Sequence, residues 1–320
     1  MRIVRPLSLL PTVLLAALLG GGAWIVGAEL GAFGVGAALG AVSALAVLGL
    51  GARRPWRRWR LAQRDLSASH RRWLRAHVPL YRRLDAKGRA AFERDVRFAR
   101  AEYSFEGVRG VTVTEALRLS VVAGIAMLLH GRPEWELPGS RSVLFYPERF
   151  DDTYHDTHTA SYDGMAHPQG PIILTVSSVR AAWARPDAGN NVVLHELAHL
   201  FDFDNEGPDG VPSLVDPGSA PDWQALVRAE MRRVRAGRSL LRPYAAEAPS
   251  EFFAVAVEHF FEQPDAMARR HRDLFRALAA FFRLDPRTGT VLEDGPVALD
   301  EPGELDEPGE DASAPRPAAE

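Results

Sequence analysis

Between residues 7 and 50 the chain carries one charge, Glu29. No other stretch limits the fold so strongly. The block divides into residues 7–28 and 30–51, each about the 20 residues needed to span a bilayer. Arg2 and Arg5 precede it, and Arg53, Arg54, Arg57, Arg58 and Arg60 follow it. Basic flanks stay in the cytoplasm, so both ends are predicted there, with the Glu29 turn outside. The result is a transmembrane helical hairpin over residues 1–52. Gly27 with Gly31, and Gly36 with Gly40, have the small-residue spacing that lets helices approach closely, although Gly/Ala-rich segments produce it by accident too. The rival reading is a signal peptide cleaved after Ala28, where Val26-Gly27-Ala28 meets the small-residue rule. The second segment and its arginines would still keep the rest of the chain cytoplasmic. Trp56 and Trp59, set among those arginines, read as an interfacial anchor.

A second apolar run, residues 192–202, differs in kind. Its only polar members are His195, Glu196, His199 and Asp202. The run predicts a buried helix. His195 and His199 are four apart and share one face, the spacing two imidazoles need to hold one tetrahedral zinc. Glu196 points about 100° round from His195, where its carboxylate can take a proton from an attacking water and pass it to a leaving amine. Such a five-residue pattern also arises by chance. Chance rarely sets it in an apolar helix, where unpaired His, Glu and His are costly to bury.

There is no cysteine, which excludes disulfides, thiolate-held zinc and cysteine nucleophiles. Histidines and carboxylates remain as strong zinc ligands. A net charge of −3 gives no sign of a general nucleic-acid binder.

Along the chain, residues 53–87 are predicted as an Arg-rich juxtamembrane helix or linker whose arginines form a solvated face near anionic lipid. Within residues 61–102, Leu74, Val78, Leu80, Tyr81 and Leu84 supply an apolar stripe. The first domain helix is placed at 88–102. Residues 103–110 read as a loop, and 115–130 as a helix capped by Thr114. Strands are predicted at 142–146 and 171–176. The polar loop 151–170 holds His155 and His158 among aspartates. A second metal site is conceivable there, but no helix fixes the spacing, and a solvated loop over the cleft mouth is the expectation. Residues 203–221 are a loop, 222–235 a helix, 250–262 a strongly apolar helix ended by Pro264, and 265–284 a last helix. Tyr244 falls in the loop before the apolar helix. The peptidase-like domain spans 88–290, and residues 291–320 form an acidic tail without periodicity.

Two histidines do not complete a catalytic zinc site. The extended form H-E-x-x-H-x-x-G-x-x-H fails, because Asp202 and Asn205 stand at its Gly and third His. The third ligand therefore comes from elsewhere. Glu251 and Glu258 lead, seven apart and on one face of the apolar helix. A carboxylate among Phe and Val needs a cation or donors. Zinc would satisfy one, and the outer N–H of a ligating histidine could satisfy the other. His259 faces elsewhere and is read as packing. Asp202 and Asp204 are candidate partners behind the ligands.

The chain resembles the zinc peptidases of the Mlc titration factor A (MtfA) type over roughly residues 88–286. The resemblance rests on Phe105-Glu106-Gly107 with Gly110, Tyr146-Pro147, residues 169–174, residues 191–202, Gly210-Val211-Pro212, Trp223, Tyr244-Ala245-Ala246, residues 251–255, residues 258–261, Pro264, and Asp285-Pro286. It implies a gluzincin-like metallopeptidase of α+β, mainly helical fold with aminopeptidase activity. It further implies a zinc ion held by His195, His199 and Glu251, with Glu196 as general base and Tyr244 stabilising the oxyanion. A phenol can donate to a developing oxyanion, so the chemistry agrees. In enteric bacteria the family member also titrates a repressor.

Three features depart from that family, the hairpin, the acidic tail and the loop 151–168, which put repressor binding in question and leave the zinc chemistry intact. The expectation is a zinc peptidase acting on peptides or proteins, tethered to the cytoplasmic face of a bacterial inner membrane. The rival is a regulator that binds and sequesters a transcriptional repressor or other cytoplasmic partner.

Overall fold

The computed structural model of the chain describes residues 1–3, 6–147, 164–165, 170–202, 212 and 220–293. The His155/His158 loop, Asp204, Asn205 and residues 294–320 lie outside the described residues.

Helices α1 (Pro6–Glu29) and α2 (Phe33–Ala62) form an antiparallel pair, and both are long and apolar enough to cross a membrane. Their backbones touch through glycine. A Cβ on Gly27 would stand 2.4 Å from the Cα of Gly36, and one on Gly40 would stand 2.6 Å from the Gly20 carbonyl. The touching pairs are thus Gly27–Gly36 and Gly20–Gly40, while Gly31 takes the turn with a φ of +65°. The outward faces stay uncovered, with Leu10, Leu18, Val42 and Leu45 all exposed.

Helix α2 does not stop at residue 51. It runs to Ala62, carrying Trp56 and Trp59 on an exposed face and Arg54 and Arg58 on the opposite one. The region expected as an Arg-rich helix or linker consists of three helical pieces: the end of α2, α3 (Ala68–His77) and α4 (Pro79–Arg83). The break between α3 and α4 falls at Val78, where Pro79 excludes the helical conformation for the residue before it. Ser67 caps α3, accepting from the His70 amide at 3.2 Å. The apolar stripe Leu74, Val78, Leu80, Tyr81 and Leu84 is wholly buried, as its spacing requires.

Helix α5 (Ala86–Glu102) receives α2. Arg54 donates to Glu102 at 2.6 Å and to Glu136 at 2.8 Å, Arg58 donates to Glu102 at 2.5 Å, and Arg141 donates to Glu136 at 2.7 Å. Burial works against the Glu102 charge, but the Arg58 and Arg54 guanidiniums outweigh it and hold the carboxyl down at about 2. Arg58 also donates to the Arg2 carbonyl at 2.6 Å, and Met1 and Ile3 pack on the core.

Next come β1 (Ser104–Gly107), α6 (Glu115–Leu129), β2 (Ser142–Tyr146), β3 (Gly164–Met165) and β4 (Ile172–Thr175). Residues 103–110 are therefore not all loop. They contribute an edge strand whose short sequence lacks a buried face, which is why periodicity missed it. The sheet order is β1-β2-β4-β3, with β1, β2 and β4 parallel and β3 antiparallel to β4. Thr114 caps α6 as predicted, accepting from the Leu117 amide at 3.3 Å.

Val176 opens helix α7 (Val176–Ala184) rather than closing a strand, because Thr175 caps it by accepting from the Ser178 amide. Helix α8 (Val192–Asp202) follows, packed against β3, β4, α6 and α7. Gly124 of α6 permits that approach: a Cβ there would lie 3.0 Å from both Val193 and Leu197. Helices α9 (Ala220–Arg235) and α10 (Pro249–Glu262) flank a 3-10 turn, Pro243–Ala246, which holds Tyr244. The expected single last helix is two, α11 (Pro264–Arg270) and α12 (Arg272–Phe282), broken at His271. Pro264 opens α11 as well as following α10, since proline suits a first helical turn. Strands β5 (Leu284–Asp285) and β6 (Thr290–Val291) close the described chain.

Phenylalanines lock α8, α10 and α12 together. Phe201 meets Phe281 edge-on at 5.7 Å, Phe253 meets Phe281 at 5.9 Å, and Phe261 meets Phe282 at 5.3 Å. Each such side chain contributes about 1.5–3 kcal/mol by burial, and each pair about 0.5–1.5 kcal/mol more.

Candidate metal centre

Helix α8 begins at Asn191. Its Oδ1 accepts from the amides of Val193 at 3.1 Å and Leu194 at 3.2 Å, the capping geometry asparagine favours. The same residue fastens α8 to α10. Asn191 donates its amide to Glu258 at 2.5 Å and its side-chain Nδ2 to Glu262 at 2.9 Å, and the Asn190 amide reaches Glu262 at 3.1 Å. Glu262 is buried. Burial drives its carboxyl up to about 7, against the donors from Asn191 and Asn190.

Glu251, Glu258 and Glu262 recur on the face of α10 that meets α8, as the seven- and four-residue spacings require. Glu251 and Glu258 sit on opposite edges of the His195 ring. The Glu251 Oε2 is 3.1 Å from His195 Nε2, and the Glu258 Oε1 is 2.8 Å from His195 Nδ1. His199 Nε2 stands 3.2 Å from His195 Nε2 and 3.6 Å from Glu251 Oε1.

These three groups, His195, His199 and Glu251, are the one metal-competent cluster among the described residues. Bonds of about 2.0–2.1 Å to a tetrahedral ion place ligand atoms about 3.3 Å apart, so separations of 3.1–3.6 Å fit one ion. The electrostatics agree. Burial should suppress charge on His195, yet the Glu251 and Glu258 carboxylates overcome it and push the imidazole up to about 10. Glu251 is likewise held well below the usual carboxylate range; burial opposes this, but both histidines prevail. The cluster favours positive charge at its centre. The Glu258 carboxylate at Nδ1 favours a proton there and leaves the Nε2 lone pair for a cation.

Glu196 is buried beside the cluster, and burial raises its carboxyl above the ordinary value, with the two histidines acting against that. Tyr244, 37% exposed, sets its ring 6.0 Å from the His195 ring. Burial and then the Glu251 charge push its phenol upward, so it stays protonated and able to donate. His259 packs away from the cluster, its Nδ1 2.9 Å from the Val255 carbonyl. Asp202 is buried at the end of α8.

Sequence reading brought His195, Glu196, His199, Tyr244, Glu251 and Glu258 to one place. It overlooked the fastening roles of Asn190, Asn191 and Glu262, and Arg242 altogether. A capping signal marks Asn191 in the sequence. Arg242 carries no signal, because its partners Asn190 and Glu258 are distant along the chain.

Similar proteins bear on the same stretch. An uncharacterized protein of Synechocystis sp. is 26% identical over 245 residues, covering 72% of this chain and 89% of its own length. The Mlc titration factor A of Yersinia enterocolitica is 31% identical over 197 residues, covering 56% of this chain and 72% of its own. That of Pectobacterium atrosepticum is 31% identical over 166 residues, with 47% and 62% covered. The model of the glucose-regulated metallo-peptidase M90 family matches residues 53–283, from the C-terminal part of α2 to the end of α12. A family of metallo-peptidases implies a metal ion, and a His-His-Glu cluster that fits one lies inside the matched stretch. The chain belongs to the glucose-regulated metallo-peptidase M90 family, of the Mlc titration factor A type.

Proposed function

We propose that this chain is a membrane-tethered zinc peptidase, aminopeptidase-like, with its peptidase domain (88–290) joined through residues 53–87 to the hairpin (1–52) and followed by the tail (291–320). The observation that carries the reading is the 3.1–3.6 Å triangle of His195, His199 and Glu251, backed at His195 Nδ1 by Glu258. When bound there, zinc would polarise the scissile carbonyl and bring a water toward a pKa of about 7. Glu196, on the same helix, takes a proton from the attacking water and gives it to the leaving amine. Tyr244 donates a hydrogen bond from its phenolic O–H to the oxyanion that forms. The buried surroundings of Glu196 and its raised carboxyl suit a group that must both accept and release a proton.

Tethering is supported by the two long apolar helices with exposed outward faces. The cytoplasmic assignment rests on the basic flanks. Arg58 reaching the Arg2 carbonyl supports the hairpin itself, with both of its ends on the side of the peptidase domain. A regulatory role is the second reading, favoured by the name of the relatives, Mlc titration factor A. A purely sequestering protein needs neither Glu196 nor Tyr244, and both stand at the cluster, so the enzyme is preferred.

The test is product analysis. The purified full chain, loaded with zinc or treated with chelator, is given short peptides with free or blocked N-termini. Zinc-dependent release of N-terminal residues from the free peptides is expected. No cleavage of either set by the zinc-loaded protein would leave the sequestering role.

A further inference from the structure

We infer that Arg242 is the positioning residue of this centre: it fixes the His195 ring through Glu258 and ties the Tyr244 turn to the start of α8. The inference rests on the metal-centre reading above. Arg242 stands immediately before the 3-10 turn, two residues before Tyr244. Its Nη2 donates to Glu258 Oε1 and lies 3.5 Å from His195 Nδ1. Its Nη1 donates to Asn190 Oδ1, next to the cap of α8. Its Cζ lies 5.8 Å over the Tyr244 ring. One planar group therefore touches the carboxylate behind a ligand, the entry to the ligand helix, and the phenol that faces the site.

The geometry explains why the group must be a guanidinium. Glu258 is wholly buried in an apolar helix and accepts from the Asn191 amide at 2.5 Å and from His195 Nδ1 at 2.8 Å. The Asn191 amide is neutral, and a metal on Nε2 would leave the His195 ring neutral too, so neither donor would then supply a counter-charge. A buried carboxylate without a counter-charge is strongly destabilised, and Arg242 supplies that charge. Two donors in one plane reach two acceptors, Glu258 within α10 and Asn190 just before α8. A lysine could meet one of them at full strength, not both. Loss of the guanidinium frees the Glu258 carboxylate to turn from His195 Nδ1, and the ring then loses the partner that fixes its tautomer and direction.

The test measures metal, not turnover alone. Zn2+ affinity of the full chain in detergent is read by chelator competition, and the visible spectrum is read after Co2+ loading. Arg242→Ala is expected to weaken Zn2+ binding on the order of 10- to 100-fold and to alter the Co2+ spectrum. Arg242→Lys, which keeps the charge, should recover part of the affinity. With Zn2+ saturating, Arg242→Ala should lower kcat with KM little changed, because Tyr244 moves. If Arg242→Ala fails to fold, Arg242→Lys and Asn190→Ala decide: each should still bind Zn2+ several-fold more weakly than wild type. Wild-type affinity and spectrum in the folded variants, with wild type itself binding Zn2+, would overturn the positioning role alone. A wild-type chain that binds no Zn2+ overturns the metal-centre reading and this inference together.

Discussion

The hairpin and the α8–α10 pair are both made of apolar helices, yet they end in opposite environments. In α1 and α2 the side chains face outward, Leu18 being 72% and Leu45 68% exposed, and the helices meet through glycine backbone. In α10, Phe252, Phe253, Val255 and Phe260 are fully buried, and the helix meets α8 through carboxylates. Apolar content alone does not say where a helix goes. What separates the two is where ionisable groups fall: at the ends of the hairpin, and at helical spacing within α8 and α10. Charge at the ends lets a helix lie in lipid. Charge in the middle, at one face, demands a partner from another helix.

The contrast can be broken most severely at Glu196. Glu196→Gln should lower peptide hydrolysis about 10²–10⁴-fold while leaving metal content intact, since an amide cannot accept the proton. A variant with normal zinc and normal turnover would refute the assigned base. The next test separates the two glutamates on α10. Glu251→Ala should abolish stoichiometric zinc, whereas Glu258→Ala should weaken it about 10- to 100-fold and remain loaded at saturating metal. Metal analysis giving the reverse order would exchange their roles.

A third test uses a buried histidine that, unlike His195, has no carboxylate hydrogen-bonded to it; Asp95 and Asp85 act on it only at a distance and are outweighed by burial. Neither ring nitrogen of His130 has a hydrogen-bond partner among the described residues, and burial pushes it down to about 4. Unfolded, it titrates near 6.5. Folding therefore expels a proton between those values. Its stabilising share is complete above about pH 6.5 and is lost as pH falls toward 4, on the order of 3 kcal/mol. His130→Phe, placed beside Phe92, should flatten the acid limb of a stability–pH profile; an unchanged limb would show that other groups control it.

The smallest effect on the catalytic region should come from the hairpin. Gly27→Leu forces the two backbones apart and should cost about 1–3 kcal/mol of helix–helix packing. Cross-linking between single cysteines introduced into α1 and α2 can read this cleanly, as the chain has no cysteine of its own. Deleting residues 1–52 should release the protein from membranes and leave zinc binding and hydrolysis in place. The deletion keeps Arg54 and Arg58 and so their bonds to Glu102, while it removes the Arg2 carbonyl and the core packing of Met1 and Ile3. A reporter after Glu320 should read as cytoplasmic and one near Glu29 as outside. An external signal at Glu320 would overturn the topology and rule out a cytoplasmic repressor as partner.

Local rules sufficed for much of this protein. Hydropathy marks both hairpin helices, four-residue spacing pairs His195 with His199, and seven-residue spacing sets Glu251 and Glu258 on one face of α10. The cap at Thr114 and the proline at 264 mark helix ends, though the sequence does not show that Pro264 also starts a helix. Edge strand β1, helix α7 and the break at His271 are decided by long-range partners: pairing with β2, packing against α6 and α8, and the bond of His271 to Glu230 at 2.6 Å. So is the division of labour between the two glutamates. Periodicity places both on the face toward α8, but only the packing of the two helices puts Glu251 at Nε2 and Glu258 at Nδ1 of one ring. Arg242 belongs wholly to the tertiary structure, for a guanidinium gains its meaning from the acceptors it reaches, and those lie 52 and 16 residues away.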